Sequence, residues 1–242
     1  MSEEEIDRKI TIIFATDVVG YSKHMEADES ETVKNLRACE KLLTGLFKKH
    51  KGRLFNTGGD SFLAEFSSAV SAVECAVEFQ KAIKERNSTE EATVNLKFRI
   101  GINSGDVVKE KDNLLGDGVN IAARLEALAQ SGGITISKSV YDYVKGKTQH
   151  EFNDLGLQKV KQNEFHAFDI LLDPSQKRKL KSQKPKSLTL AAAAVLSICA
   201  ILGVFFVNQT DQSKTTAQIS SLNNILVYPF KNNSSTDAKD NL

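Results

Sequence analysis

Apolar residues alternate between strand-like runs and helical repeats over the first 173 positions of the chain. The run Lys9 to Thr16 is almost wholly apolar, which predicts a central strand that is buried on both faces. From Ser30 to His50 the apolar residues recur every three or four positions, which predicts a helix. Its expected inward side chains are Val33, Leu36, Leu42, Leu43, Leu46 and Phe47.

The next elements complete a β-α-β-β-α-β order. Short strands at Gly52 to Asn56 and Ser61 to Phe66 flank a turn, and a helix follows from Ala69 to Ile83, with Val70, Val73, Val77, Phe79 and Ile83 inward. The alternation from Ala92 to Ile102 predicts the last strand of the set. This order is typical of a ferredoxin-like α+β fold, in which the first and third strands are neighbours.

Further elements follow in the second half of this region. We expect a strand at Asp106 to Glu110, a helix at Val119 to Ala129, a strand at Gly133 to Ser137, a short helix ending near Val144, and two late strands near 151–160 and 165–172.

A different pattern begins at Leu188, where 20 residues run to Val207 without a charge. This length spans a bilayer, and the absence of a polar face favours a transmembrane helix over a buried core helix. Basic residues crowd its N-terminal flank, so the positive-inside rule places residues 1–187 in the cytoplasm of a single-pass membrane protein. We therefore expect a globular domain at 1–173, a basic linker at 174–187, a span at 188–207 and an extracytoplasmic segment at 208–242.

The segment 208–242 contains one strand-like run, at 225–230, and a lone strand does not fold alone. We expect it to begin a further domain.

The net charge and the cysteine positions narrow the range of possible functions. The 32 basic and 31 acidic residues leave a net charge of +1, which is no basis for nucleic-acid binding. The cysteines Cys39, Cys75 and Cys199 share no close spacing, so they predict neither a metal knuckle nor a disulfide framework.

Two acidic residues stand where neighbouring strands end. Asp17 follows the first strand, and Asp60 lies in the Gly58-Gly59-Asp60 turn before the third. Their carboxylates can converge and suit Mg²⁺ or Mn²⁺ bound to phosphates. A helix N-cap for Asp17 and a turn residue for Asp60 are the structural alternatives, and the pairing favours metal.

A second pair of polar residues lies on the helix near position 120. Asn120 and Arg124 are four residues apart and share a face, where an amide and a guanidinium could orient a ribose and a phosphate. Spacing alone favours ordinary exposed side chains. Ile121, Ala122 and Leu125 fall on other faces and are predicted core residues.

Five segments in one order resemble the class III adenylate/guanylate cyclase catalytic domain, over about residues 8–172. They are FATDVVGYS (14–22), FNTGGDSFLAEF (55–66), FRIGINSGDVV (98–108), LGDGVNIAARLE (115–126) and GGITIS (132–137). The closest likeness is to bacterial members with a membrane span after this domain. The resemblance implies a head-to-tail homodimer that makes a cyclic nucleotide with two divalent metal ions, Mg²⁺ or Mn²⁺.

The resemblance also implies roles for matching residues. Asp17 and Asp60 match the metal-binding carboxylates, and the Val18 carbonyl matches a further ligand. Asn120 and Arg124 match the residues that orient the ribose and stabilise the transition state, supplied by the second subunit. Arg99 and Lys161 fall where the family binds the triphosphate, and exposed strand positions are the alternative for both.

The base-reading positions depart from the family pattern. The family's adenine-contacting Lys, four residues before the second metal acid, is Asn56 here, and its partner, seven residues before the helix Asn, is Asn113. Neither the adenylate pair nor the Glu/Cys pair of guanylate cyclases is present. Because Asn offers both donors and acceptors, and because the NTxGDS pattern resembles bacterial adenylate cyclases, we expect ATP as substrate.

Three alternatives remain. They are a guanylate cyclase, a diguanylate cyclase suggested by Gly58 to Phe62, and a catalytically silent nucleotide-binding module. The helix with Asn120 and Arg124 argues against a diguanylate cyclase. The presence of both acids and of the Asn/Arg pair argues against a catalytically silent module.

Overall fold

The structure, a computed structural model, describes residues 7–90, 92–160 and 163–178. Its strands form one sheet in the order β2-β3-β1-β4-β6-β8-β7, with β5 paired to β4. The strands are β1 (Arg8–Val18), β2 (Gly52–Gly58), β3 (Ser61–Phe66), β4 (Phe98–Glu110), β5 (Asn113–Leu115), β6 (Ile134–Ser137), β7 (Glu151–Val160) and β8 (Asn163–Leu171). The helices are α1 (Tyr21–Ala27), α2 (Glu29–Lys49), α3 (Ala69–Arg86), α4 (Asp117–Leu128) and α5 (Lys138–Val144), followed by a 3₁₀ turn, Pro174–Gln176.

The predicted ferredoxin-like order is confirmed. The strands β2, β3, β1 and β4 are consecutive neighbours and all pair antiparallel. The second half extends this sheet through β6, which pairs parallel to β4, and through the β7–β8 hairpin. The sheet therefore carries the mixed α+β architecture that the alternation of elements predicted.

One face of the sheet is covered by α2, α3 and α5, and it holds the main core. On α3 the predicted inward residues Val73, Val77, Phe79 and Ile83 are buried. On α2, however, Val33 and Leu42 are 36% and 38% exposed, so their predicted burial is wrong.

The reason lies in the polar residues on the inward face of α2. Thr32 and Asn35 take buried places there because both are hydrogen-bonded: Thr32 donates to the His24 carbonyl, and Asn35 donates to the Glu31 carbonyl and to Thr93. Burying a hydrogen-bonded polar group costs little. The buried face of α2 therefore includes these two polar residues and is rotated from the face that apolar spacing alone predicts.

The opposite face carries α4, which packs on Ile13, Ala15 and Val107. Here strands were predicted at 92–102 and 106–110, but β4 runs unbroken for 13 residues from Phe98 to Glu110, so the predicted break and the predicted start at 92 are wrong. Gly101 and Gly105 lie inside this strand, where they allow close packing against a helix. A Cβ on Gly101 would lie 2.2 Å from the Ala122 carbonyl oxygen and from the Glu126 nitrogen.

The predicted span at 188–207, the segment 208–242 and linker residues 179–187 lie outside the described residues. Among the residues that are described, no helix is both long and apolar enough to cross a membrane.

Candidate active site

Asp17 and Asp60 lie at the same end of adjacent strands. In the β1–β3 register Thr16 pairs with Phe62, so Asp17 comes next to the turn that joins β2 to β3. That turn is a two-residue loop, Gly59-Asp60, in which Gly59 takes the left-handed φ of 64° that a tight hairpin needs. Both acids are half-buried. This register places the two residues at the same end of neighbouring strands, and the convergence of their carboxylates stays a prediction.

Arg99 lies on β4 directly opposite Asp17 of β1, and it binds the Asp17 carboxylate with a forked pair of hydrogen bonds. The Arg99 Nε atom donates to Oδ1 at 3.1 Å and Nη2 donates to Oδ2 at 2.5 Å. This bond with Asp17 raises the pKa of Arg99, and Glu126 and Asp60 contribute electrostatically in the same direction. Arg99 therefore lies beside three acidic side chains.

Glu126 is the site residue that sequence reasoning missed. It lies on α4 with its side chain 12% exposed, and its Oε1 is 3.0 Å from Arg99 Nε without the alignment of a hydrogen bond. Burial raises the pKa of Glu126 to about 8, and Asp17 adds to the rise through a hydrogen bond and its charge. The motif LGDGVNIAARLE contains Glu126, but nothing in its spacing shows that it faces β4.

The cluster fits a divalent cation in its donor chemistry. Its acids outnumber its one base, so the site attracts positive charge beyond that of Arg99. Carboxylate oxygens are the ligands that Mg²⁺ and Mn²⁺ prefer, usually one or two from the protein with the rest from phosphate and water. Within the described residues no group of three or more His, Cys, Asp or Glu side chains is arranged to hold a metal. Val18, the last residue of β1, is buried beside it.

Asn120 and Arg124 both lie on α4, as expected, but on another face of it from Glu126. Positions two apart on a helix are turned by about 200°, so Arg124 is directed away from the side on which Glu126 meets Arg99. None of the hydrogen bonds or ion pairs among the described residues joins Asn120 or Arg124 to Asp17 or Asp60. Asn120 is exposed, and the Arg124 Nη1 atom is buried without a hydrogen-bond partner in the described part of the chain. The acids and the Asn/Arg pair therefore do not meet within one chain.

Ala122 and Leu125 are buried on α4, as predicted, and Ile121 is half-buried against Leu155 and Phe165. These apolar contacts fix the roll of the helix about its axis. They leave Asn120 and Arg124 on the side away from β4.

Asn56 and Asn113 are brought together by a β-bulge. The register of β2 against β3 shifts between Leu54 and Asn56, and Phe55 between them packs on the apolar cluster that includes Ala122 of α4. The Asn56 Nδ2 atom then donates to Asn113 Oδ1 at 3.3 Å, and the backbone N–H of Leu114 donates to the same oxygen at 2.9 Å. The resemblance to cyclases gave these two residues one role, in base recognition, and the structure makes them neighbours.

Lys161 lies outside the described residues, in the gap between β7 and β8. Its predicted contact with the triphosphate stays a prediction.

The fold recurs in solved structures of nucleotide cyclases. An adenylate/guanylate cyclase/hydrolase from Silicibacter pomeroyi is 35% identical, with a TM-score of 0.63 over 70% of this chain and 100% of that one. The adenylyl cyclase CyaB from P. aeruginosa has a TM-score of 0.63 over 74% of this chain and 100% of its own, and at 23% identity it shows the fold alone. The class defined by the fold is thus that of a cyclase catalytic domain.

The family model of the adenylate and guanylate cyclase catalytic domain matches residues 2–172, and the chain belongs to that family. A putative adenylate cyclase 3 of Rhizobium meliloti is 44% identical over 162 residues, which are 66% of this chain and 28% of that protein. The chain thus matches about a quarter of the length of that relative. Membership supports a lyase of cyclic-nucleotide synthesis.

Proposed function

We propose that this chain is an adenylate cyclase that converts ATP to 3′,5′-cyclic AMP and pyrophosphate. The observation that carries the proposal is the pair of acids, Asp17 and Asp60, at adjacent strand ends beside Arg99. In the reaction the ribose 3′-oxygen bonds to the α-phosphorus, the bond from that phosphorus to the bridging oxygen breaks, and pyrophosphate leaves. The hydroxyl proton passes to solvent.

Each residue has a defined task in this proposal. Asp17 and Asp60 would hold two divalent cations, which would lower the pKa of the attacking hydroxyl and neutralise charge on the phosphates. Arg99 binds the triphosphate once Asp17 is engaged elsewhere, since its guanidinium is already at the cluster. Asn120 orients the ribose, and Arg124 stabilises charge at the α-phosphate.

The site is proposed to be shared between two copies of the chain. This is supported by the orientation of α4, which directs Glu126 toward Arg99 and Arg124 away from it. One chain therefore does not bring all the proposed catalytic and metal-binding residues to one place. A head-to-tail homodimer would bring Arg124 of one copy opposite Asp17 of the other, in each of two equivalent sites. The unpartnered Arg124 Nη1 would then find an acceptor on the substrate.

Adenine is the proposed base. The Leu114 N–H fixes Asn113 Oδ1 as an acceptor, so Asn113 Nδ2 and Asn56 Oδ1 are left to meet a base. One donor and one acceptor complement the N1 and the amino group of adenine. The name of the R. meliloti relative points the same way.

The whole protein is proposed to be anchored in the cell membrane by residues 188–207, with the catalytic domain cytoplasmic. This part of the proposal is supported by the uncharged run and its basic flank in the sequence.

The test is the conversion of ATP and GTP, separately, by purified protein with Mg²⁺ or Mn²⁺, with the product identified by mass. Asp17→Ala and Arg124→Ala should each lower the rate by about 10³-fold or more, because phosphate positioning and charge stabilisation are lost. Asp106→Ala is the matched control, since that exposed acid on β4 forms an ion pair with Arg8 at 3.1 Å, away from the acidic cluster.

Mixing the two inactive variants tests the shared site. Random pairing should restore about a quarter of wild-type activity, because half of the dimers are mixed and each mixed dimer has one intact site. No recovery would contradict the dimeric site, and no product from the wild type with either nucleotide would favour the silent module.

A further inference from the structure

The chain continues to pack on the domain beyond the last predicted strand. After β8 the 3₁₀ turn Pro174–Gln176 is capped by Asp173, whose carboxylate accepts from the Ser175 N–H at 2.8 Å. This turn directs the chain back along the sheet. Arg178, inside the predicted linker, thereby reaches the domain with its side chain only 19% exposed.

The Arg178 guanidinium binds a buried carboxylate on β8. Its Nε donates to Asp169 Oδ2 at 2.7 Å and its Nη2 to Asp169 Oδ1 at 3.0 Å. Asp169 is 6% exposed and also accepts from the Thr135 hydroxyl on β6 at 2.7 Å. The forked geometry and the extra donor satisfy the carboxylate, so the pair is a fixed attachment and not a loose surface contact.

The backbone of Arg178 is held as well. Its carbonyl oxygen accepts from the amide of Asn153 on β7 at 2.7 Å, and Asn153 is 5% exposed. Side chain and main chain of this one residue are thus attached to two strands of the sheet.

The same guanidinium holds the end of α4. Arg178 Nη2 donates to the carbonyl oxygen of Leu128 at 2.8 Å, and Leu128 is the last residue of that helix. The final carbonyls of a helix have no partner within it and carry partial negative charge, so a guanidinium there is a strong cap. Leu128 lies one turn beyond Arg124 and two turns beyond Asn120.

We propose that Arg178 is a positioning residue for the proposed cyclase reaction: it fixes the C-terminal end of α4 to β8 and so sets where Asn120 and Arg124 stand. The inference rests on the proposed function for the roles of those two residues.

The test uses Arg178→Ala and Arg178→Lys in the full-length chain. Arg178→Ala removes the two side-chain attachments, to Asp169 and to the Leu128 carbonyl. Arg178→Lys keeps a positive charge beside Asp169 but cannot reproduce the forked hydrogen bonds that also reach Leu128. The matched control is Lys177→Ala, since Lys177 is exposed on the neighbouring position. Melting temperatures are measured first, and kinetics are then run well below the melting temperature of each variant.

The first readout is amide hydrogen exchange of residues 117–129. Exchange there should rise on the order of 10-fold in Arg178→Ala and less in Arg178→Lys, with no change in Lys177→Ala. Unchanged exchange in Arg178→Ala would overturn the inference even in a chain with no cyclase activity, and this separates it from the proposed function.

The second readout is the division between kcat and KM. Misplacing Arg124 removes a contact made in the transition state, so kcat should fall on the order of 10-fold while KM for ATP changes little. A lower melting temperature with an unchanged kcat would show a purely structural anchor and refute positioning. If Arg178→Ala does not fold, Arg178→Lys decides by the same two criteria.

Discussion

Replacing Gly101 by alanine tests whether close packing of α4 on β4 builds the active site. A Cβ at this position would lie 2.2 Å from the Ala122 oxygen, 2.2 Å from the Glu126 nitrogen and 2.8 Å from the Glu126 Cα. Ordinary contacts of a Cβ begin near 3.4 Å, so the helix must withdraw by at least about 1.2 Å. All three obstructing atoms are backbone, which cannot turn aside as a flexible side chain can.

The shift should cost both stability and activity. Forced overpacking of a close contact costs about 1–3 kcal/mol, which lowers Tm by roughly 3–10 °C for a domain of this size. Glu126 and Arg124 would move with the helix, and a displacement near 1 Å costs on the order of 10²-fold in rate. Thermal unfolding and ATP turnover of the purified full-length protein measure the two effects.

The matched control is Gly45→Ala in α2. A Cβ at Gly45 meets nothing within 4 Å, and the residue is helical, so this change should leave activity intact and raise stability by about 0.5–1 kcal/mol. If Gly101→Ala keeps the wild-type Tm and turnover while Gly45→Ala behaves as stated, the close-packing account of β4 is wrong.

Three further predictions concern the base site, the half-buried carboxylate of Glu65 and a buried thiol. Asn56→Ala should alter the ratio of ATP to GTP turnover about 10-fold, more than it alters the sum, because it removes a polar contact to the base; competition assays measure this. Burial raises the pKa of Glu65, but hydrogen bonds from Lys9 and Arg53 outweigh it and the net pKa lies below the ordinary value. Glu65→Gln should therefore cost about 1–3 kcal/mol of unfolding free energy at neutral pH. That difference should vanish as pH falls through the lowered pKa, since the stabilisation exists only while Glu65 is ionised. Burial raises the pKa of Cys75 to about 12, so this thiol should resist alkylation at pH 8 until the protein unfolds, as peptide mass mapping would show.

Each of these has a result that would count against it. An Asn56→Ala enzyme with an unchanged nucleotide ratio would remove Asn56 from base recognition. A Glu65→Gln deficit that persists at low pH would mean that packing, not charge, explains the loss. Rapid alkylation of native Cys75 would show that its burial is not maintained in solution.

The periodicity of the sequence determined the ferredoxin-like half of the fold. The run Lys9 to Thr16, the strand Ser61–Phe66 and the apolar spacing of α3 are local patterns that tertiary contacts did not override. The two acids could also be placed from sequence, because each directly ends or precedes a strand and the topology makes those strands neighbours.

Other features depended on contacts between residues distant in sequence, and only the tertiary structure decided them. The break predicted between Ile102 and Asp106 is absent, because β4 continues for 13 residues with Gly101 in close contact with α4. Glu126 joins Arg99 because α4 is rolled about its axis by apolar contacts with β7 and β8, which no helical spacing records. In the sequence Arg178 falls in the predicted linker, because its hydrogen-bond partners lie on β8 and at the end of α4, 9 and 50 residues away. A sequence pattern reports the neighbours along the chain, whereas the energy of a buried carboxylate or a close backbone contact depends on neighbours that only folding brings together.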